Sequence, residues 1–92
     1  MEQFENFRKT FSALGDKTRL KLFHLVSKNN EICVTQLAKE LHISAACVSQ
    51  HMKVLGEAEL VERVRNGQRV CYKIVTNSPS KKALNDLIFK EN

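Results

Sequence analysis

Residues 35–53, TQLAKELHISAACVSQHMK, contain two short helical patterns separated by a tight turn. The inner face of the first pattern carries Leu37, Ala38 and Leu41, and that of the second carries Val48, Met52 and, just beyond, Leu55. Each set recurs at the spacing of one helix face. Thr35 and Ser44 each stand directly before a pattern, where a side-chain oxygen can cap a helix. The stretch therefore predicts a helix–turn–helix over about 35–57, with helices at about 36–41 and 45–57.

The outer face of the second helix lacks carboxylates until its last turn. It carries Ala46, Ser49, Gln50 and Lys53. Small residues permit close approach of another molecule, and serine, glutamine and lysine can bond base edges or phosphates. Because a solvated face usually mixes in acidic residues, this face is predicted to contact nucleic acid.

A second pattern follows at about 60–75, where two β-prone runs flank Asn66-Gly67. Asn-Gly is typical of a type I′ hairpin turn, which needs a positive φ at both central residues. Arg63, Arg65 and Arg69 surround this tip. The hairpin is either a solvated edge guarded by positive charge or a basic wing that contacts the DNA backbone. Its position directly after a helix–turn–helix favours the wing.

Three further helices are predicted around this centre. Asp16 is expected to cap a buried helix at about 17–28. The other two lie near the ends, at about 2–13 and 79–90, and their apolar stripes carry Phe4, Phe7 and Phe11 in the first and Leu84, Leu87 and Ile88 in the last. An aromatic stripe fits a core or a subunit interface, and the two terminal stripes together suggest a dimer interface. The predicted fold is mainly α with one β-hairpin, a single winged helix-turn-helix domain over 1–92 with the order αααα-ββ-α.

Composition narrows the class of partner. The 92 residues include 15 Lys and Arg against 10 Asp and Glu, a formal net charge of +5. This surplus suits a polyanion such as double-stranded DNA, although a basic protein without such a partner fits the charge equally well.

No apolar run approaches a membrane span and the N-terminus lacks a signal-peptide core, so a cytoplasmic location is expected. The sequence shows no phosphate-binding loop, no clustered carboxylates and no activated nucleophile, so neither an enzyme nor a cofactor is expected.

The segments ALGDKTRLKLFHLV, EICVTQLAKEL and ISAACVSQHMKVLGEAELVERVRNGQRVCYKI together resemble the ArsR (arsenic-repressor-like) family of winged-helix transcriptional repressors. The resemblance covers roughly residues 13–75. It implies a homodimer that binds an imperfect inverted repeat and releases it when an inducer binds, with its two reading helices about one turn of DNA apart. By position, residues 44–53 would enter the major groove, from Ser44 onward. The residues nearest to DNA would be Ala46, Ser49, Gln50 and His51, and Gln36 would touch the backbone.

The resemblance leaves the effector open. Many members of the family bind a thiophilic metal through Cys-Val-Cys before the first helix of the motif, whereas this chain has Cys33-Val34-Thr35. A second family site uses histidine on the last helix, which here offers Asp86 and Glu91 without histidine. Both standard metal sites therefore look incomplete, and the metal and any small-molecule inducer stay unassigned.

The three cysteines, Cys33, Cys47 and Cys71, are an odd and widely spaced set, which argues against a disulfide framework. One hypothesis is that Cys47 or Cys33 is oxidised or alkylated and thereby loosens DNA binding. The dipole at the start of the reading helix favours a reactive thiolate at Cys47. The alternative is that all three are buried apolar fillers.

Two other functions compete with that of a sequence-specific regulator. A winged helix can serve as a protein–protein interaction module, and the basic hairpin argues against that use. A nonspecific architectural DNA-binding protein would share the basic surface but lack preference for any operator.

Overall fold

The computed structural model describes residues 2–76. The predicted last helix at about 79–90, with Leu84, Leu87 and Ile88, lies outside the described residues. The described elements are α1 (Glu2–Leu14), α2 (Lys17–Lys28), β1 (Ile32–Cys33), α3 (Val34–Leu41), α4 (Ala45–Glu57), β2 (Val61–Asn66) and β3 (Arg69–Ile74). This is a winged helix-turn-helix, which confirms the predicted fold class.

Side-chain caps begin two of the helices as predicted. Asp16 Oδ2 accepts a hydrogen bond from Arg19 N at 3.0 Å and begins α2. Ser44 Oγ accepts one from Cys47 N at 3.0 Å and begins α4. Each bond satisfies a backbone N–H that has no partner inside its helix.

The start of α3 differs from the prediction. The helix begins at Val34, its N-cap is Cys33, and Thr35 lies inside the first turn with an exposed side chain. Gln36 takes the reciprocal capping position, because its Oε1 accepts a hydrogen bond from Cys33 N at 3.0 Å. Thr35 was the wrong cap because strand β1 runs directly into α3 and Cys33 is the residue at the junction.

The core lies where α2, α3 and α4 meet, and it orients α4. Its fully buried apolar side chains include Leu22, Val26, Leu37, Val48, Met52 and Leu55. Three of these form the predicted inner stripe of α4, so the opposite face of that helix is turned to solvent. The turn before α4 is made by His42, which has φ 56° and ends α3 in the left-handed conformation.

The strands form an antiparallel sheet in the order β1-β3-β2. Asn66 pairs with Arg69, so the hairpin loop is Gly67-Gln68 and not Asn66-Gly67. Gly67 has φ 67°, while neither Asn66 nor Gln68 has a positive φ. The predicted type I′ turn is therefore wrong. One positive φ, at a glycine in the first loop position, is the pattern of a type II′ turn.

Strand β1 joins the hairpin through a pairing that was not predicted. Ile32 lies opposite Tyr72 and Cys33 opposite Cys71, and the two cysteines form a disulfide. The spacing of the cysteines gave no sign of this disulfide, because the sheet register brings together two residues that lie 38 positions apart. In the described part of the chain, no helix is long and apolar enough to cross a membrane.

Candidate nucleic-acid interface

The predicted reading face of α4 is accessible. Its four residues, Ala46, Ser49, Gln50 and Lys53, are all exposed. Exposure follows from the packing of the opposite stripe, since Val48, Met52 and Leu55 are fully buried. The face is thus held on a helix whose rotation is set by the core, which is what a reading surface requires.

A cleft separates α4 from the hairpin. Helix α4 contributes Ser49 and Lys53 to its walls, and the hairpin contributes Arg63, Gln68 and Arg69. Among the described residues that line it, three are cations and none is a carboxylate. Because a polyanion gains from several cations that face one space without an opposing negative charge, the cleft suits a phosphate backbone.

The structure brings some of the predicted DNA contacts together at this cleft and leaves others outside it. Ser49, Lys53, Arg63 and Arg69 line the cleft, while Arg65 is exposed on β2 outside it. Ala46 and Gln50 lie on the exposed face of α4 beyond it. Ser44 and Gln36 carry out capping roles, as described above.

His51 differs from the other predicted contacts because it is half-buried and lies close enough to Asp16 to act on its charge. The pKa of the Asp16 carboxyl is lowered, first by the hydrogen bond from Arg19 N. Burial opposes this shift, and electrostatic interactions with Arg19 and then His51 lower the pKa further. His51 therefore lies near the start of α2, and its contact with DNA stays a prediction.

Helix α1 leaves most of its aromatic stripe uncovered. Phe4 is 59% exposed, Phe11 is 50% exposed and Phe7 is half-buried. The helix packs instead through Thr10 and Ala13, which are 0% and 2% exposed. Thr10 tolerates this burial because its Oγ1 donates a hydrogen bond to Asn6 O at 2.8 Å. Within the described residues, then, the Phe4 and Phe11 rings are not core.

The cysteines fall into two environments. Cys33 and Cys71 are buried and form the disulfide, whereas Cys47 is half-exposed and is the free cysteine of the described residues. Cys71 was absent from the redox hypothesis because its partner can be recognised only from the β1–β3 register. The hypothesis for Cys47 stays a prediction, and the alternative of a buried filler does not fit its half-exposed side chain.

Residues 16–63 match the model of the arsR family of bacterial regulatory proteins, which is more than half of the chain. The chain belongs to the ArsR family. The match includes α2, the helix-turn-helix and the first residues of the wing, and it confirms the resemblance seen in the sequence. The family consists of transcriptional regulators and not of enzymes.

Two relatives show how far the likeness of this ArsR-family protein extends. An uncharacterised HTH-type transcriptional regulator of Methanocaldococcus jannaschii is 33% identical over 82% of this chain and 84% of that protein. A transcriptional repressor SmtB homolog of Synechocystis is 32% identical over 84% of this chain. That alignment covers 58% of the repressor, so the chain spans little more than half of its length.

A solved structure supports the fold. It is the homodimeric winged helix-turn-helix DNA-binding domain of a possible ArsR-family regulator from Mycobacterium bovis. It superposes with a TM-score of 0.76 at 20% identity, covering 96% of this chain and 81% of that one. At this identity the likeness concerns the fold alone.

The described residues do not fit the family's Cys-Val-Cys metal site. That site needs a second thiol at position 35, where Thr35 offers a hydroxyl in the first turn of α3. A soft cation prefers thiolate ligands, and Cys33 alone cannot replace the pair.

Proposed function

We propose that this ArsR-family protein is a homodimeric, sequence-specific DNA-binding repressor that binds an inverted-repeat operator. One observation supports this above the others: the exposed face of α4 and the basic wing flank a single cleft lined by cations without a described carboxylate. Its relatives include a protein named as a transcriptional repressor.

In the proposed complex, α4 lies in the major groove and the wing follows the phosphate backbone. Ser49 and Gln50 project from α4 where base edges would lie, and Ala46 permits close approach near the helix start. Lys53, Arg63 and Arg69 flank the cleft and would neutralise the phosphates between helix and wing.

The uncovered rings of α1 support the homodimer in this proposal. Phe4 and Phe11 expose large apolar surfaces on α1, and no described residue of that helix lines the cleft. A second copy would bury them, and two-fold symmetry would present two α4 helices to two half-sites. The structural relative from Mycobacterium bovis is described as homodimeric.

The inducer stays unassigned, and release by modification of Cys47 remains the thiol-based possibility within this proposal.

Selection of bound sequences from random duplex DNA tests the proposal directly. We expect an inverted repeat to emerge, and its affinity to fall steeply as salt rises. Binding without any sequence preference would favour an architectural protein, and no salt-dependent binding to duplex DNA would favour a protein-interaction module. Repeating the selection with candidate metals and with oxidant would identify conditions that release the DNA.

A further inference from the structure

The cleft between α4 and the hairpin has an apolar floor that the proposed DNA contacts leave uncovered. Its volume is about 770 Å³, within the range of about 300–1,000 Å³ that is usual for small-molecule sites. The apolar residues that line it include Val34, Met52, Val61, Val70 and Tyr72. The phosphates of a DNA backbone pair with the cations at the rim, and they gain nothing from an apolar surface. The floor therefore suits a ligand of different chemistry.

The hairpin places a cation and an apolar surface side by side on one wall of the cleft. Arg63 lies directly opposite Tyr72 in the β2–β3 register, so the two side chains project from the same face of the sheet. Val70 precedes Tyr72 by two residues and lies on that face too. Val70 is half-buried and Tyr72 is 8% exposed, so part of each side chain is accessible from the cleft.

The cations of the rim are available to an anionic group. Lys53, Arg63 and Arg69 are exposed, and none of them takes part in an ion pair within residues 2–76. An arginine guanidinium can donate two parallel hydrogen bonds to one carboxylate, a geometry that the lysine ammonium lacks. An anion that carries an apolar body would therefore satisfy the rim and the floor together.

We propose that this cleft binds a small aromatic carboxylate. The ring of the ligand lies against Tyr72 and Val70, since planar apolar bodies pack favourably on aromatic side chains. Its carboxylate accepts hydrogen bonds from Arg63, and Lys53 adds positive charge from the α4 wall. A ligand with only one of these two parts would leave either the rim or the floor without a partner.

Such a ligand would compete with DNA for the cleft, and this consequence rests on the proposed function. Helix α4 and the wing supply the walls of the cleft, and both would hold the DNA backbone. The bound carboxylate would neutralise Arg63 where a phosphate would otherwise lie. An aromatic carboxylate is thus expected to act as an inducer that releases the DNA without a metal and without a change at any thiol.

Titration of the full-length protein with 2-naphthoate tests the site in the absence of DNA. The ring of this probe should shift the methyl NMR signals of Val34 and Val70, and the shifts should saturate as the cleft fills. Leu20 is the control for nonspecific binding, because it is 50% exposed on α2, outside the cleft, and its signals should not move. The probe 2-naphthamide has the same ring without the charge and should bind about tenfold more weakly.

Three results of this titration would overturn the proposal. They are equal affinities for the two probes, shifts at Leu20 that match those at Val70, and no saturable shift up to millimolar 2-naphthoate.

Two matched pairs of variants separate the rim from the floor. Arg63→Gln should weaken 2-naphthoate binding about tenfold and leave 2-naphthamide binding unchanged. Lys73→Gln removes a charge from the other face of the hairpin and should change neither. Val70→Thr should weaken both probes about tenfold, because it sets a hydroxyl against the ring. Val64→Thr sets the same hydroxyl on the other face and should weaken neither. Threonine suits a strand, so both valine variants should fold. Equal effects within either pair would contradict the site.

Binding of a labelled random-sequence duplex, with and without 2-naphthoate at constant ionic strength, tests the competition. With the probe at about ten times its Kd, competition should lower the DNA affinity about tenfold. Unchanged DNA affinity would overturn the inference that ligand and DNA exclude each other. A protein that binds 2-naphthoate but no duplex DNA would support the site and contradict the proposed function, so the two failures are distinguishable.

Discussion

At the scale of single residues, Gln50 is the side chain of the α4 outer face best equipped to read a base. Its amide can donate and accept at once, which suits the paired groups of adenine in the major groove. The residue is exposed and lies beyond the cleft wall formed by Ser49 and Lys53. Its contribution should therefore be to specificity more than to general affinity.

Gln50→Ala should weaken binding to the selected operator by about 1–3 kcal/mol, the value of one good bidentate base contact. Binding to unrelated duplex DNA should stay nearly unchanged, because the phosphate contacts remain. Both affinities can be measured by fluorescence anisotropy at one salt concentration. An equal loss on both DNAs would remove Gln50 from base reading.

Asp16 predicts a pH effect on stability. Its pKa is lowered from 3.8 in the folded protein, chiefly by the Arg19 N–H, so the ionised form stabilises the fold. That contribution is present above the unfolded pKa and is lost as the pH falls through the folded value. Asp16→Asn retains a cap but does not titrate. We expect the wild type to be the more stable protein near neutral pH, and the difference to shrink below about pH 4. Urea unfolding at fixed protein concentration measures it, and a difference independent of pH would contradict the assignment.

At the scale of the element, the wing depends on one glycine conformation. Gly67 has φ 67° in the hairpin loop, a region that side chains with a Cβ adopt at a cost of roughly 1–2 kcal/mol. Gly56 lies in α4 without a positive φ, and a Cβ there would meet Val61 O at an ordinary 3.9 Å. The two glycines therefore respond to the same substitution in opposite directions.

Gly67→Ala should lower the free energy of unfolding by about 1–2 kcal/mol. Gly56→Ala should raise it by about 0.5–1 kcal/mol, because alanine loses less backbone entropy in a helix. Denaturant unfolding of both variants beside the wild type checks the pair. Destabilisation of both to the same extent would show that the loop conformation is not what Gly67 provides.

The charge of the wing can be tested independently of its fold. Arg65 is exposed on β2, and its removal should make the dependence of DNA binding on salt shallower by about one unit. Lys73 is the control, because it pairs with Glu62 at 3.6 Å on the same hairpin. Lys73→Ala removes an equal charge and should leave the slope unchanged. An unchanged slope in Arg65→Ala would mean that Arg65 contacts no phosphate.

At the scale of the whole molecule, the uncovered face of α1 predicts that the protein is a dimer and not a monomer. Burying an aromatic side chain contributes about 1.5–3 kcal/mol, and a two-fold interface uses each residue twice. Phe11→Ser should therefore weaken dimerisation about tenfold or more. Sedimentation across a range of protein concentrations measures this.

Leu20→Ser is the control for this dimer prediction. Leu20 is 50% exposed, as Phe11 is, but it lies on α2. Its substitution should leave the dimer intact. That result would show that the weaker dimerisation of Phe11→Ser is specific to α1 and does not follow from removing any exposed apolar side chain. A monomeric wild type would contradict the dimer, and equal weakening by both substitutions would place its interface outside the α1 stripe.

The sequence by itself determined the local elements. The bounds of α1, α2 and α4 and the caps Asp16 and Ser44 follow from residues within a few positions of each other. Helix periodicity and capping act over such distances, so they can be read along the chain. The acid-free face of α4 was visible for the same reason. Once the helix was placed, its opposite stripe had to be buried.

The tertiary structure alone decided what depends on distant partners. Pairing of β1 with β3 made Cys33 the cap of α3, displaced Thr35 from that role and joined Cys33 to Cys71. The hairpin register moved the loop by one residue, since strand pairing and not the Asn-Gly dipeptide set which residues oppose each other. Packing through Thr10 turned Phe4 and Phe11 outward. In each case the deciding contact joins positions that the chain brings together only after it has folded.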